Sequence, residues 1–93
     1  MREIERTSRF KRDYKRERKG RHATTLEESL LAVLRLLVND MPLAERYRDH
    51  PLSGEWAGFR DCHMKPDLVL TYEKPDDTTL RLVRIGSHSA LGF

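Results

Sequence analysis

Only one cysteine, Cys62, occurs in the 93-residue chain, so no internal disulfide is available and stability rests on packing. No apolar run approaches the ~18 residues that a membrane-crossing helix needs; the longest, Leu30 to Val38, is broken by Arg35. Met1 to Arg6 alternates charges and holds neither the apolar stretch nor the small-residue cleavage site of a secretion signal. The cytoplasm is therefore the expected compartment, and no membrane partner is expected. Five glycines are present, without the Gly-rich strand-to-helix fingerprint of a nucleotide-phosphate loop. Internal repeats and low-complexity segments are also lacking. What remains is 38% hydrophobic and 35% charged, enough for a modest core beneath a charged surface and for one domain over residues 1–93.

The net charge of +3 conceals an uneven distribution, because residues 1–22 carry ten Lys or Arg against four Asp or Glu. Such a cluster, densest from Arg9 to Arg21, suits a polyphosphate or an acidic protein, both of which attract it without demanding detailed geometry. A weakly alternating segment at 3–7 predicts a short edge strand. A helix is expected over 8–19, capped by Ser8, striped only by Phe10 and Tyr14, and ended by Gly20. Thr25 and Glu28 have capping-box spacing and open a core helix whose wide apolar face runs from Leu26 to Leu37, widened by Leu31, Leu36 and Val38.

A long connection follows from Met41 to Gly54. Three short runs rich in aromatic and branched residues, 56–62, 68–72 and 80–85, then predict strands, the last two joined as a hairpin through residues 74–78. Helices first and consecutive strands later argue for an α+β fold, with two N-terminal helices packed on a largely antiparallel sheet. Trp56 and Cys62 are expected in the core, and His22 in the solvated interhelical turn.

His50, His63 and His88 sit at loop positions or strand ends, where a scaffold commonly holds side chains outward. Adjacent strand ends can bring these imidazoles to one cleft with the carboxylates of Asp61 and Asp67. Imidazole both accepts and donates protons near neutrality, which suits acid/base catalysis; the same groups are also zinc ligands. The spacing matches no standard zinc motif, and Pro66 prevents a ligand-bearing helix between His63 and Asp67, so chemistry without a metal or other cofactor is the favoured expectation. Arg60, Arg81 and Arg84 are candidate cations for a phosphate. A strand continuing past Gly86 would place Arg84 and His88 on one face.

The run from His50-Pro51-Leu52-Ser53-Gly54 through Trp56-Ala57-Gly58-Phe59-Arg60-Asp61-Cys62-His63, followed by Pro66-Asp67 and Arg84-Ile85-Gly86-Ser87-His88, resembles the YafQ family of toxins in the RelE/ParE superfamily. The likeness extends over nearly the whole chain. It implies an α+β ribonuclease fold and a type II toxin that cleaves mRNA in the ribosomal A site, restrained by an acidic antitoxin of the DinJ/RelB type. It also implies functional roles for His50, His63, Asp67 and His88, and an active-site arginine at Arg84. With His50 as base and His88 as acid, Arg84 would clamp phosphate, and Asp67 with His63 would orient or share protons. Lys11, Arg12, Lys15 and Arg16 on the basic helix are the expected RNA contacts, with Phe93 at the end of the chain. Leu68 departs from the family by standing where many relatives carry Trp. The superfamily's other activity, inhibition of a topoisomerase by binding alone, is the alternative function, and it needs no cluster of histidines.

Overall fold

Two patterns in the sequence decide the architecture of the computed structural model, which describes residues 1–92. The leucine and valine repeat after Thr25 winds into a helix whose buried side chains are Leu26, Leu30, Val33, Leu34, Leu37 and Val38. The alternating runs of the C-terminal half build the sheet beneath it. In chain order the elements are β1 (Glu3–Arg6), α1 (Ser8–Glu17), α2 (Leu26–Val38), β2 (His50–Pro51), β3 (Arg60–Lys65), β4 (Leu68–Glu73), β5 (Thr79–Gly86) and α3 (His88–Leu91), with 3₁₀ turns at Glu45–Tyr47 and Gly54–Trp56. The five strands form one sheet in the order β1-β5-β4-β3-β2. β1 pairs parallel to β5, and the remaining pairs are antiparallel. The α+β architecture is thus the expected one.

Residues Leu68 to Tyr72 of the central strand β4 are all buried. Leu68, Leu70 and Tyr72 join the core with Phe10 of α1 and the α2 stripe, as do Cys62 of β3 and Leu80, Leu82 and Ile85 of β5. Alternation sends Val69 and Thr71 to the opposite face, which carries the candidate site. Among the described residues no helix is long and apolar enough to cross a membrane.

Several local expectations are corrected. Thr7, rather than Ser8, caps α1: its hydroxyl accepts from the Phe10 amide at 3.0 Å and donates to the Val83 carbonyl at 2.9 Å, tying the helix start to β5. The helix ends at Glu17, with Arg18 as its cap, before Gly20 is reached. Thr25 has φ −116° and ψ 1° and makes no side-chain cap; its hydroxyl turns back toward the His22 carbonyl. Turn hydrogen bonds preceding α2 hold Thr25 out of the extended conformation that an N-cap needs. Leu31 remains 45% exposed because α2 meets the sheet on one side only. The run beginning at Trp56 becomes strand only at Arg60. Before that, Gly58 takes φ +95° in a turn closed by the Phe59 amide on the Trp56 carbonyl. Trp56 is consequently only half-buried, edge-on to Phe59, and outside the core.

Candidate functional site

Strand register assembles the site. His50 of β2 pairs with Asp61 of β3, Asp61 with Thr71 of β4, and Thr71 with Arg84 of β5. Directly paired residues point to the same face, so these four form one row across the sheet. The next row runs from His63 through Val69 to Gly86. β5 ends there instead of continuing: Ser87 caps α3 by accepting from the Ala90 amide, and His88 opens that short helix. The turn brings His88 back over the sheet, so that its ring centroid lies 4.9 Å from that of His63, which in turn lies 6.3 Å from that of His50.

The carboxylate at the centre of these rings belongs to Asp61, which is 1% exposed. Its oxygens take the Thr71 hydroxyl at 3.3 Å and stand 3.9 Å from Nε2 of His88. Burial pushes its pKa upward, opposed by the positive charge that His50, His63 and His88 can carry. His63 is shifted down, first by burial and then by His88, so it favours the neutral form. Nδ1 of His50 lies 2.6 Å from the Arg48 carbonyl. A carbonyl only accepts, so Nδ1 donates and a neutral ring leaves its lone pair on Nε2. Asp49 steadies this segment by accepting from Tyr72 at 2.6 Å and from Arg60 at 3.2 Å.

Beside the cluster a groove of about 910 Å³ passes between β3 and α2, bounded by Thr25, Glu28, Tyr47, Lys65, His63 and His88, with Arg46 and Arg48 on its wall. One ligand atom from each of Asp61, His63 and His88 lies within 4.8 Å of the others, so these three can hold a metal ion.

The structure therefore brings His50, His63 and His88 around Asp61, and it gives Asp67 other partners. In the turn between β3 and β4, Asp67 lies 2.7 Å from Nε2 of His22 and 3.1 Å from Arg21. The hydrogen bond from His22 is the leading cause of its lowered pKa. His22, expected to be solvated, is thus partnered. The three arginines expected as cations are likewise engaged: Arg60 by Asp49, Arg81 by Glu5 and Glu73, and Arg84 by Asp13. Carboxylates one strand or helix away satisfy them as each is partly withdrawn from water. Lys11, Arg12, Lys15 and Arg16 are exposed along α1. Phe93 lies outside the described residues. Cys62 is buried and its pKa is raised by that burial, which leaves its thiol protonated.

Two carboxylates matter more than sequence reasoning suggests. Asp61 shares strand parity with His63, a signal legible in the sequence. Asp13 is one of two acids within a basic stretch and the buried one, one turn beyond Phe10 on the buried stripe of α1; counting charges hides it.

Comparison with known proteins finds relatives over nearly the whole chain. The family model described as a bacterial toxin of type II toxin-antitoxin system, YafQ, matches residues 2–92. The mRNA interferase toxin YafQ of Escherichia coli (strain K12) is 42% identical over 91 residues, covering 98% of this chain and 96% of the relative. The toxin in the crystal structure of the E. coli DinJ-YafQ toxin-antitoxin complex superimposes with a TM-score of 0.82 at 38% identity, covering 97% of this chain and 96% of that one. A metal-bound toxin from Helicobacter pylori gives a TM-score of 0.81 at 41% identity, covering 98% of this chain and 99% of that one.

Proposed function

The chain belongs to the family of bacterial YafQ toxins of type II toxin-antitoxin systems, and we propose that it cuts mRNA in the ribosomal A site, using histidines as acid and base. As an mRNA interferase it is an endoribonuclease, which sets aside the topoisomerase-binding alternative. The observation that carries the catalytic reading is the cluster of three imidazoles around the buried Asp61 carboxylate.

In this reading a ribose 2′-hydroxyl attacks the adjacent phosphorus. Nε2 of His50 takes its proton, a role supported by the Nδ1 hydrogen bond to the Arg48 carbonyl that leaves Nε2 as the acceptor. His88 protonates the departing 5′-oxygen. Asp61 stands 3.9 Å from Nε2 of His88, where it faces the ring that delivers the proton. The P–O5′ bond breaks as the P–O2′ bond forms, giving a 2′,3′-cyclic phosphate upstream and a 5′-hydroxyl downstream. His63, held neutral between the other two rings, orients substrate and shares hydrogen bonds. Asp67 orients the far end of the site through the β3–β4 turn, and Arg84 contacts phosphate. A metal ion on Asp61, His63 and His88 would supply Lewis acidity, but it would also engage imidazole lone pairs that proton transfer needs.

The proposed partners are the ribosome with its mRNA and an acidic antitoxin of the DinJ/RelB type. The exposed cations of α1 suit ribosomal RNA and an acidic chain alike. A single 2′-deoxy substitution at the cut tests the mechanism: cleavage of that mRNA should stop while the all-ribose mRNA is cut. Cleavage of both at equal rates would overturn 2′-hydroxyl attack.

A further inference from the structure

We infer that Asp13, on α1, is a positioning residue of the active site, which fixes Arg84 so that its free guanidinium edge meets the RNA phosphate. The inference rests on the reading of Arg84 as a phosphate contact, and it concerns how a buried carboxylate sets that contact.

The need for such a residue arises in the sheet. β1 pairs with β5 only as far as Arg6 opposite Leu82, so the backbone of β5 beyond Leu82 has no strand on that side. Side chains from the start of the chain replace the missing strand. Thr7 donates to the Val83 carbonyl, the Ile85 amide donates to Oδ2 of Asp13 at 3.2 Å, and Arg16 donates to the Ile85 carbonyl at 3.1 Å. An unsatisfied sheet edge is costly when buried, and α1 is placed to satisfy it.

Asp13 does more than terminate the edge. Only 3% exposed, it accepts Nε of Arg84 on Oδ2 at 2.6 Å and Nη2 of Arg84 on Oδ1 at 3.1 Å. It also accepts Nη1 of Arg16 at 3.1 Å, while Nε of Arg16 reaches Glu17 at 3.1 Å. Each carboxylate oxygen is therefore held by at least two donors, and its direction is fixed. Burial alone would raise its pKa, but the hydrogen bonds from Arg84 and the Ile85 amide outweigh this, and Asp13 stays ionised.

The two-point grip occupies one side of the guanidinium. A guanidinium carries five N–H donors in a rigid plane, so the bonds to Asp13 leave Nη1 and the second proton of Nη2 as an edge that fits two oxygens of one phosphate. Arg84 belongs by register to the row of His50, Asp61 and Thr71, and its side chain is 15% exposed. Two carboxylates, Asp13 and Glu17, balance two guanidinium groups in this network. Arg84 thus serves less as a free cation than as an oriented pair of donors. A lysine would keep the charge and lose both the grip and the edge. Gly86 completes the arrangement, since a Cβ there would lie 2.7 Å from Nη2 of Arg16.

The test measures kcat and KM for the full-length chain on ribosomes programmed with a short defined mRNA. Variants are Asp13→Asn, Arg84→Ala, Arg84→Lys and the Asp13→Asn, Arg84→Ala double variant. Asp13→Asn should lower kcat by ~10- to 100-fold, the scale of a misplaced catalytic group, with KM changed by less than about threefold. In the Arg84→Ala background the same substitution should change kcat by no more than about twofold, because its action passes through Arg84. Arg84→Lys should lose as much kcat as Arg84→Ala, and this variant carries the test if Asp13→Asn does not fold. Equal losses from Asp13→Asn in both backgrounds, or wild-type kcat for Arg84→Lys where Arg84→Ala is impaired, would overturn the inference. Wild-type cleavage by Arg84→Ala would instead remove Arg84 from the site, and with it the reading on which the inference rests.

Discussion

Nε2 of His88 stands 3.9 Å from Oδ2 of Asp61, on the far side of β4 in the strand order. The carboxylate is buried and its pKa is pushed up, first by burial, so an ionised Asp61 is kept at a cost to the fold. Asp61→Asn relieves that cost and preserves an acceptor for the Thr71 hydroxyl. The expected result is a gain of roughly 1 kcal/mol in unfolding free energy at neutral pH, the common trade at a strained functional position. Cleavage should fall by ~10²-fold or more as His88 loses its counter-charge. Denaturant melts and single-turnover cleavage on the same preparation check both; a destabilised Asp61→Asn would mean that the carboxylate supports the fold.

His50→Gln and His88→Gln should each cost ~10²- to 10⁴-fold in kcat and should differ in pH profile. A base must be deprotonated, so the acidic limb of the bell should disappear with His50; an acid must be protonated, so the alkaline limb should disappear with His88. Rate profiles between about pH 5 and 9, spanning the imidazole range on both sides, distinguish the two. Loss of the same limb in both variants would reverse or merge the assigned roles.

A metal that engages Asp61, His63 and His88 would occupy lone pairs needed for proton transfer. Added Zn²⁺ or Cu²⁺ should therefore inhibit cleavage, and a selective chelator should restore it. Isothermal titration should show binding to the wild-type chain weakened at least ~10-fold by Asp61→Asn, the scale for losing a ligand or its support. Stimulation of cleavage by the added metal would contradict a proton-transfer mechanism carried by the histidines.

Replacing Lys11, Arg12 and Lys15 together with Gln removes three exposed charges from α1 while leaving its buried stripe intact. Ribosome affinity should drop, and the slope of log affinity against log salt should flatten by about 0.7 to 0.9 for each phosphate that is no longer neutralised. Unchanged affinity and slope would restrict this face to the antitoxin or to solvent.

Acid stability should report on Asp13. Its folded pKa lies below the ordinary carboxylate value of 3.8, so its stabilisation is complete above that value and is lost as pH falls through the unfolded and then the folded pKa. Asp13→Asn should cost about 2 kcal/mol at pH 7, the scale of charged hydrogen bonds, and the gap to wild type should narrow toward about pH 3. Urea melts across that range check the sign; a gap that widens on acidification would contradict it.

Much of this protein is legible in the sequence because it depends on local periodicity and chemistry. The leucine repeat of α2 and the hairpin of β4 and β5 are set by side-chain spacing and turn residues near in sequence. The residues from His50 to His63 and the Arg84 to His88 segment carry enough identity to reveal the family on their own. Charge counting likewise locates the basic face of α1.

What tertiary structure decided was partnership, because partners distant in sequence leave no periodic trace. Asp61 and Asp67 are both expected among the imidazoles, but the β3–β4 turn places Asp67 against His22 and Arg21, while strand register keeps Asp61 with the histidines. Arg60, Arg81 and Arg84 read as free cations until packing supplies each with a carboxylate. Asp13 looks like an interruption in a basic helix. Only the early end of β1, which leaves the edge of β5 open beside α1, gives that carboxylate backbone and guanidinium donors to hold. Sequence determines which groups are available for hydrogen bonds; burial makes them find partners, and the path of the chain determines which ones they meet.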